Sequence, residues 1–137
     1  MYVIYTDGAC KSSNKTGGWA FVVIKDDKKI YFDFNSEDDT TNNRMEITAC
    51  IKALEYCIDN NIKEVVIQTD SMYVIGTMEY GWKRNANNDL WPILVSMCNH
   101  VRVIWQHVKG HNGDKYNSLC DSLAVVASNY NKKIKRV

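Results

Sequence analysis

Four acidic side chains carry the clearest chemical potential in this sequence: Asp7, Glu46, Asp70 and Asp121. Carboxylates that are brought together repel one another unless a cation lies among them, and oxygen ligands of this kind suit Mg²⁺ or Mn²⁺ rather than zinc. Two such ions about 4 Å apart can activate a water molecule and stabilise the leaving 3′ oxygen of an in-line phosphoryl displacement. If the fold gathers these acids, the sequence predicts a divalent-metal site, and phosphodiester hydrolysis is one reaction that such a site supports.

Each of these acids also has an ordinary structural explanation. Asp7 and Asp70 could be turn formers or helix caps at the ends of strands. Glu46 could be a first-turn acid that favours the helix dipole, and Asp121 a surface acid of a helix. For any one residue alone the structural explanation is the better one. The chemical hypothesis therefore depends on considering the four acids together.

The first part of the chain predicts the strands that would carry Asp7. Three strands are predicted, at residues 2–6, 19–24 (after Gly17 and Gly18) and 30–35, with a polar turn at 26–29. Asp7 follows the first of them, and Gly8 suits a sharp exit from a strand. These three strands are expected to form an antiparallel meander.

The later elements alternate between helix and strand. A polar entry at residues 40–43 precedes apolar residues with helical spacing, and Glu46 falls in the first turn of this predicted helix. A β-branched strand over 65–69 ends at Asp70. The remaining predicted elements are helices over 71–78 and 90–98, a strand over 101–107, a glycine-bearing loop over 110–113 and a helix over 115–129 that carries Asp121.

This order of elements predicts an α/β fold. The sheet is expected to be mixed and five-stranded, with three antiparallel strands followed by parallel ones and with helices packed on both faces. In such sheets the functional site gathers near the ends of the parallel strands. Asp7 and Asp70 are expected to lie there.

Composition is that of one soluble globular domain over residues 1–137, with a basic tail from about residue 130. The 17 basic and 16 acidic residues give a formal net charge of +1, so no overall field favours a nucleic-acid or membrane surface. The five cysteines show no CxxC spacing, which argues against a disulfide framework or a zinc site. No leader or membrane-spanning run is visible, and a cytoplasmic location is expected.

Four blocks of sequence occur in order along the chain: Tyr5-Thr6-Asp7-Gly8-Ala9-Cys10, Thr41-Asn42-Asn43-Arg44-Met45-Glu46, Thr69-Asp70-Ser71-Met72-Tyr73-Val74 and Val108-Lys109-Gly110-His111-Asn112-Gly113, with Asn117 and Cys120-Asp121 downstream. Together they resemble the type I ribonuclease H family, whose members cut the RNA strand of RNA–DNA hybrids. Any one block arises often by chance, whereas the joint match covers nearly the whole chain. The resemblance implies a ribonuclease H-like fold and an endoribonuclease that leaves 5′-phosphate and 3′-hydroxyl ends.

The resemblance also assigns roles to individual residues. Asp7 would bridge two Mg²⁺ ions, which Mn²⁺ could replace. Glu46 and Asp70 would hold the water-activating side, and Asp121 the leaving-group side. His111 lies in a glycine-flanked loop, where an imidazole that titrates near neutral pH suits proton transfer or product release rather than metal binding.

Three regions are expected to contact the substrate. Asn42 and Asn43 match the family's minor-groove readers, which touch base edges and RNA 2′-hydroxyls. Helix capping is their ordinary structural role, and the two roles are compatible. Thr41 matches a residue with which the family holds a phosphate of the DNA strand. An ordinary role as a polar turn residue is an equally good explanation of Thr41. The other candidates are Cys10, Ser12, Ser13 and Asn14 in the turn after Asp7, and Trp82 beside Lys83 and Arg84.

The chain departs from the family pattern in two places. The asparagine that is usual six residues after the first aspartate is Ser13 here, with Asn14 next to it. Well-known bacterial members of the family grip the hybrid with an extra basic helix and loop. This chain lacks that insertion, and only residues 79–88 lie between the helix after Asp70 and Asp89. A monomer with weak hybrid affinity and low processivity is expected, unless the tail (Lys132, Lys133, Lys135 and Arg136) or a partner protein that delivers hybrid compensates.

Two other functions fit part of the pattern. A transposase or junction resolvase of the wider superfamily would share the acid cluster, but the Asn42-Asn43 pair and His111 favour ribonuclease H. A catalytically idle hybrid-binding module would reuse the fold after losing acids, and none of the four is lost here. Divalent metal binding at the acids would distinguish an enzyme from an idle module.

Overall fold

The computed structural model describes residues 1–108 and 114–130. In these ranges the chain forms five strands and four helices. In chain order they are β1 (Tyr2–Cys10), β2 (Gly17–Lys25), β3 (Lys28–Glu37), α1 (Asn42–Asp59), β4 (Glu64–Thr69), α2 (Met72–Glu79), α3 (Trp91–Met97), β5 (Arg102–His107) and α4 (Lys115–Ser128). No helix in these ranges is long and apolar enough to cross a membrane.

The five strands form one mixed sheet in the order β3-β2-β1-β4-β5. The antiparallel pairs are β1 with β2 and β2 with β3, while β4 is parallel to both β1 and β5. The predicted sheet of three antiparallel strands followed by parallel ones is confirmed.

The two faces of the sheet bury separate apolar clusters. Ile4, Phe21 and Ile67 lie on the face covered by α1, α2 and α3, where Trp91 is fully buried. The opposite face carries Tyr5, Ala20 and Val22, which pack against Cys120 and Ala124 of α4. Because each face is apolar, each must be covered by helices, as predicted.

Strand β1 is longer than the sequence indicated. The prediction that it ends before Asp7 is wrong, because β1 pairs with β2 from Tyr2 to Cys10, and Asp7 lies opposite Ala20. Its parallel pairing with β4 stops at Thr6 and Thr69. Asp7 therefore lies inside β1, one residue beyond the point where the parallel neighbour ends.

Strand β3 is also longer than predicted, and the turn before it is tighter. Asp26 and Asp27 have φ angles of 52° and 63°, which is the signature of a two-residue type I′ hairpin turn. Lys28 and Lys29, which were predicted as turn residues, already belong to the strand. Most of β3 is exposed at the edge of the sheet, and the residues that lengthen it, Lys28, Lys29, Ser36 and Glu37, are polar, so they carry no apolar signal in the sequence.

Candidate active site

Asp7 reaches the site from the middle of the sheet. By strand alternation it shares the α4 face with Tyr5, and it is 4% exposed. One carboxylate oxygen, Oδ1, accepts a 2.9 Å hydrogen bond from the backbone N–H of Gly8. The other oxygen, Oδ2, is buried and has no hydrogen-bond partner among the described residues. A buried carboxylate oxygen without a hydrogen-bond donor is costly, and a bound cation would provide the missing interaction.

Glu46 is brought to β1 by the close approach of α1. Thr41 caps the helix, accepting a hydrogen bond from the N–H of Arg44, so α1 begins at Asn42 and Glu46 lies past its first turn. The prediction that Glu46 is a first-turn acid is therefore wrong. Gly8 faces α1 so closely that a Cβ atom there would overlap backbone atoms of Met45 and Glu46. The missing side chain at Gly8 is what lets α1 approach the strand.

Asp70 completes the cluster from the end of β4. It follows Thr69 directly, and Ser71 then caps α2 by accepting a hydrogen bond from the N–H of Val74. Asp7, Glu46 and Asp70 each place one carboxylate oxygen in a group of three atoms that lie within 4.8 Å of one another. Glu46 Oε1, like Asp7 Oδ2, is buried without a hydrogen-bond partner among the described residues. The structure thus gathers three of the four predicted acids into one group of oxygen atoms that could hold a metal ion.

Asp121 lies on α4, which covers the face that Asp7 shares. The charge of Asp121 contributes to raising the pKa of Asp7, so the two carboxyl groups are neighbours. Asp121 is partly exposed and lies outside the tight set of three oxygen atoms. The fourth predicted acid is therefore adjacent to the cluster rather than within it.

The crowding of acids makes ionisation unfavourable. Burial raises the pKa of Asp7 to about 8, and the charge of Asp70 adds to this effect. Burial, together with the charges of Asp7 and Asp70, raises the pKa of Glu46 well above its ordinary value. The pKa of Asp70 is also raised, mainly by burial. A divalent cation would reverse these effects, since nearby positive charge favours the ionised form.

The metal-free protein is expected to lose stability as the pH rises. Below about pH 4, Asp7 is protonated in the folded and unfolded chain alike, and its contribution to the free energy of unfolding has its full value. Between that pH and about 8, Asp7 ionises in the unfolded chain while it stays protonated in the folded site, so the free energy of unfolding falls by up to about 1.4 kcal/mol per pH unit through Asp7. Urea unfolding in EDTA from pH 5 to 8.5 measures this slope. A metal-free stability that rises with pH would contradict the electrostatic description.

The residues predicted to contact substrate surround the start of α1. Asn42 Oδ1 accepts a 2.6 Å hydrogen bond from the N–H of Cys10, and Cys10 Sγ lies 3.3 Å from the carbonyl oxygen of Thr40. Asn43 is exposed in the first turn of α1. Cys10, Thr41, Asn42 and Asn43 are therefore brought together.

The turn after β1 lies against the same region. Ser12 and Ser13 are exposed, while Asn14 Oδ1 accepts a hydrogen bond from the N–H of Thr16 and so closes its own turn. The carbonyl of Lys15 accepts a 3.0 Å hydrogen bond from the N–H of Thr40, which fixes the turn beside the start of α1.

A cavity of about 270 Å³ lies between these two segments, and sequence reasoning missed its cations. Its lining residues are Cys10, Lys11, Ser12, Lys15, Thr40, Thr41 and Asn42. Lys11 and Lys15 are exposed, and the charge of Lys15 acts on the Cys10 thiol. In the sequence, the only sign of these cations is a pair of lysines that flank the turn after β1. The fold is what places them opposite Thr41.

Trp82 lies on the surface beside α2. Its indole ring rests against Gly76, where a Cβ atom would overlap the ring, and the backbone N–H of Trp82 donates a 3.0 Å hydrogen bond to the Gly76 carbonyl. Nearly half of the side chain is exposed. His111 and the basic tail residues Lys132, Lys133, Lys135 and Arg136 lie outside the described residues.

Comparisons with known proteins identify the family. The RNase H family model matches residues 1–129. The curated Ribonuclease H of Ruthia magnifica is 43% identical over 140 residues, covering 91% of this chain and 93% of that protein. The Ribonuclease H of a Cyanothece species is 41% identical over 134 residues, covering 88% and 85%.

Solved structures show the same fold. LC11-RNase H1, crystallised in complex with an RNA/DNA hybrid, aligns with a TM-score of 0.83 at 20% identity and covers 98% of this chain and 99% of that one. The N-terminal RNase H domain of a Mycobacterium tuberculosis protein aligns with the same TM-score of 0.83 at 22% identity, over 93% of each chain. The match to the family model, the curated relatives and this shared architecture agree, and the chain belongs to the RNase H family.

Proposed function

We propose that this chain is an endoribonuclease that hydrolyses the RNA strand of RNA–DNA hybrids and leaves 5′-phosphate and 3′-hydroxyl ends. The observation that carries this proposal is the set of Asp7, Glu46 and Asp70 oxygen atoms within 4.8 Å of one another, in a chain of the RNase H family. The hybrid bound by LC11-RNase H1, which has the same fold, supports the choice of substrate.

The donor set fits hard divalent cations. All the candidate ligand atoms are carboxylate oxygens, and two of them, Asp7 Oδ2 and Glu46 Oε1, are buried without a hydrogen-bond partner among the described residues. Asp7, Glu46 and Asp70, with Asp121 beside them, would hold two Mg²⁺ ions, or Mn²⁺ in their place. The chemistry supplied by cations there is Lewis acidity toward the attacking water and the scissile phosphodiester.

The protein's own contribution is placement of the acids on rigid elements. Asp7 is fixed inside β1, Glu46 is pressed toward it by the contact at Gly8, and Asp70 is held at the junction of β4 and α2. Fixed charges positioned before the reaction need no reorganisation during it. We assign His111 an assisting role in moving a proton or releasing product, consistent with an imidazole that titrates near neutral pH.

Recognition of the hybrid is proposed to begin at Asn42 and Asn43. Because Asn42 Oδ1 accepts the N–H of Cys10, its Nδ2 amide is presented as a donor. Donors of this kind suit the acceptor atoms on base edges in the minor groove, where RNA 2′-hydroxyls are also displayed. Cys10 at the end of β1, with Ser13 and Asn14 in the turn that follows it, is proposed to face the RNA strand, and Trp82 is a further proposed contact.

The cavity between the two segments is proposed to hold a phosphate of the DNA strand. Thr41 Oγ1 accepts the N–H of Arg44, which leaves its hydroxyl hydrogen to be donated to a phosphate oxygen. Lys11 and Lys15 would supply the positive charge. This placement explains how a chain with a net charge of +1 could still provide local attraction for a polyanion.

Lys15→Ala is expected to raise KM for hybrid by about threefold to tenfold with little change in kcat, because a phosphate contact contributes to binding but not to the chemical step. The dependence of KM on salt should weaken by about one released counterion. Lys63→Ala, at the far end of β4 and also exposed, is the matched control and should leave both quantities unchanged. Equal behaviour of the two variants would remove Lys15 from the binding surface.

The experiment that tests the proposed function is a substrate panel. RNA–DNA hybrid, RNA duplex and DNA duplex of one sequence are incubated with the protein and Mg²⁺, and the ends of any product are analysed. Cleavage of the hybrid alone, in its RNA strand, with 5′-phosphate and 3′-hydroxyl ends is the expected result. Cleavage of the DNA duplex, or products with 3′-phosphate ends, would refute the proposal.

The remaining features of the enzyme are proposals that rest on composition. A single domain over residues 1–137, monomeric and cytoplasmic, agrees with the ordinary charge balance. The short segment between α2 and α3 carries two cations, Lys83 and Arg84, so a weak grip on hybrid is expected. A partner protein that delivers hybrid would compensate for it.

A further inference from the structure

Arg44 ties the start of α1 to the segment between α2 and α3. Its two terminal nitrogens reach both carboxylate oxygens of Asp89, at 2.9 and 2.8 Å, and Nη1 also lies 3.2 Å from Asn87 Oδ1. Asn87 Nδ2 in turn donates a 3.0 Å hydrogen bond to the hydroxyl oxygen of Tyr73 on α2. One guanidinium therefore joins three parts of the structure that are distant in sequence.

Arg44 is poorly suited to hold a phosphate itself. Its positive charge is already matched by Asp89, and the fork geometry of the guanidinium is used up in a bidentate pair. The Asp89 carboxylate is largely exposed, so a polyanion that approached Arg44 would meet a negative charge. The interaction therefore fixes the position of the segment more than it attracts the substrate.

The segment between α2 and α3 is held at both of its ends. At one end, the Trp82 ring rests on Gly76, and the backbone N–H of Trp82 donates a hydrogen bond to the Gly76 carbonyl. At the other, Asn87 adopts a φ of 61°, and its carbonyl accepts the N–H of Leu90 at 2.9 Å. Lys83 and Arg84 lie between these anchors, exposed and without an ion pair among the described residues.

We propose that Arg44 is a positioning residue for hybrid binding, which holds Lys83 and Arg84 at a fixed distance from Asn42 and Asn43. This inference rests on the proposed function, since it concerns the same binding face. Asn42 and Asn43 precede Arg44 directly in α1, whereas the two cations reach it through Asp89 and Asn87. The pair thereby couples Asn42 and Asn43, the proposed minor-groove readers, to the cationic segment.

The pair is expected to matter little for stability. Exposed ion pairs contribute little to folding, and α3 has its own anchors. Trp91 is fully buried, its ring lies 5.4 Å from that of Tyr73, and its Nε1 donates to the carbonyl of Ala86. Loss of the pair should therefore loosen the segment without unfolding the domain.

Two conservative variants separate positioning from charge. Arg44→Lys keeps the positive charge but loses the bidentate fork, and Asp89→Asn removes a negative charge that should otherwise repel the hybrid. If only charge mattered, Arg44→Lys would leave the affinity for hybrid unchanged and Asp89→Asn would increase it. Positioning predicts that both raise KM for hybrid, by about threefold to tenfold, with kcat nearly constant. Arg102→Lys, in the exposed Arg102 and Glu64 pair at the opposite end of the sheet, is the matched control.

The decisive measurement is a cycle that combines Arg44→Lys with Lys83→Ala and Arg84→Ala. If Arg44 acts by placing these two cations, its replacement should cost almost nothing once they are gone, so the effects on KM are not additive. Thermal unfolding checks that every variant is folded. The same cycle is measured as hybrid binding in EDTA by fluorescence anisotropy, which does not depend on turnover.

The outcomes separate this inference from the function on which it rests. Non-additive losses in binding, with unchanged melting temperatures and a silent Arg102→Lys control, support the positioning role. Additive losses, or tighter binding by Asp89→Asn, would overturn it even if the wild-type chain cleaves hybrid. Absence of cleavage by the wild-type chain would instead count against the proposed function, while the anisotropy cycle still decides the role of Arg44.

Discussion

Asp70→Asn is expected to lower turnover of RNA–DNA hybrid by about a thousandfold or more, while raising the stability of the metal-free protein. The loss follows because Asp70 provides one of three carboxylate oxygens within 4.8 Å, and an amide in its place is a poorer ligand for a hard cation. The gain follows because its charge raises the pKa of Asp7 and Glu46. Asp7→Asn should behave in the same way.

Steady-state cleavage and urea unfolding in EDTA measure the two effects on the same preparation. At pH 8 the substitution should increase the free energy of unfolding by roughly 1 to 3 kcal/mol, because repulsion within the cluster is relieved. Asp59→Asn, an exposed acid at the end of α1, is the matched control and should change neither quantity. Turnover within tenfold of wild type in either cluster variant would refute the assignment of the site.

Gly8→Ala is expected to destabilise the fold by about 3 kcal/mol and to lower turnover of the folded protein by about a hundredfold. A Cβ atom at this position would overlap backbone atoms of Met45 and Glu46, which cannot rotate away as a side chain could. Strand β1 and helix α1 would have to separate, and Glu46 would move away from Asp7. Thermal unfolding and single-turnover cleavage measure the two losses.

Gly18→Ala provides the comparison for this prediction. It creates a similar overlap, but with backbone atoms of Ala124 and Ser128 in α4 rather than with α1. It should cost similar stability, with a smaller effect on turnover, because Glu46 is left in place. Wild-type stability in Gly8→Ala would show that β1 and α1 can separate without cost, against the packing described.

The elements that carry Glu46 and Asp70 could be predicted from the sequence because they have local signals, whereas the choice of the four acids came from the joint match of the four blocks. Asp70 follows a short β-branched strand, and Glu46 precedes apolar residues with helical spacing, so both could be placed on elements. The topology then places the end of β4 beside β1, which is the physical reason that Asp7 and Asp70 meet. The family resemblance added Asp121, whose position next to Asp7 depends on the packing of α4 and has no local signature.

The features that sequence reasoning missed depend on contacts between distant segments. Strand β1 continues past Asp7 because β2 pairs with it as far as Cys10, and no pattern within β1 reveals that partner. Arg44 and Asp89 are partly or largely exposed and are separated by 45 positions, so no hydrophobic periodicity connects them. Hydrophobic patterns locate buried faces, whereas polar contacts across the surface become visible only in the folded chain.

The most direct test of the central claim is the metal dependence of RNA-strand cleavage by the wild-type chain. A hybrid labelled in its RNA strand is incubated with the protein at neutral pH, in Mg²⁺ and in EDTA. The acid cluster predicts cleavage in Mg²⁺ and none in EDTA, with activity restored when Mg²⁺ is returned in excess. Equal cleavage in EDTA, or intact RNA in Mg²⁺ and Mn²⁺ alike, would contradict a metal-dependent ribonuclease centre built on Asp7, Glu46 and Asp70.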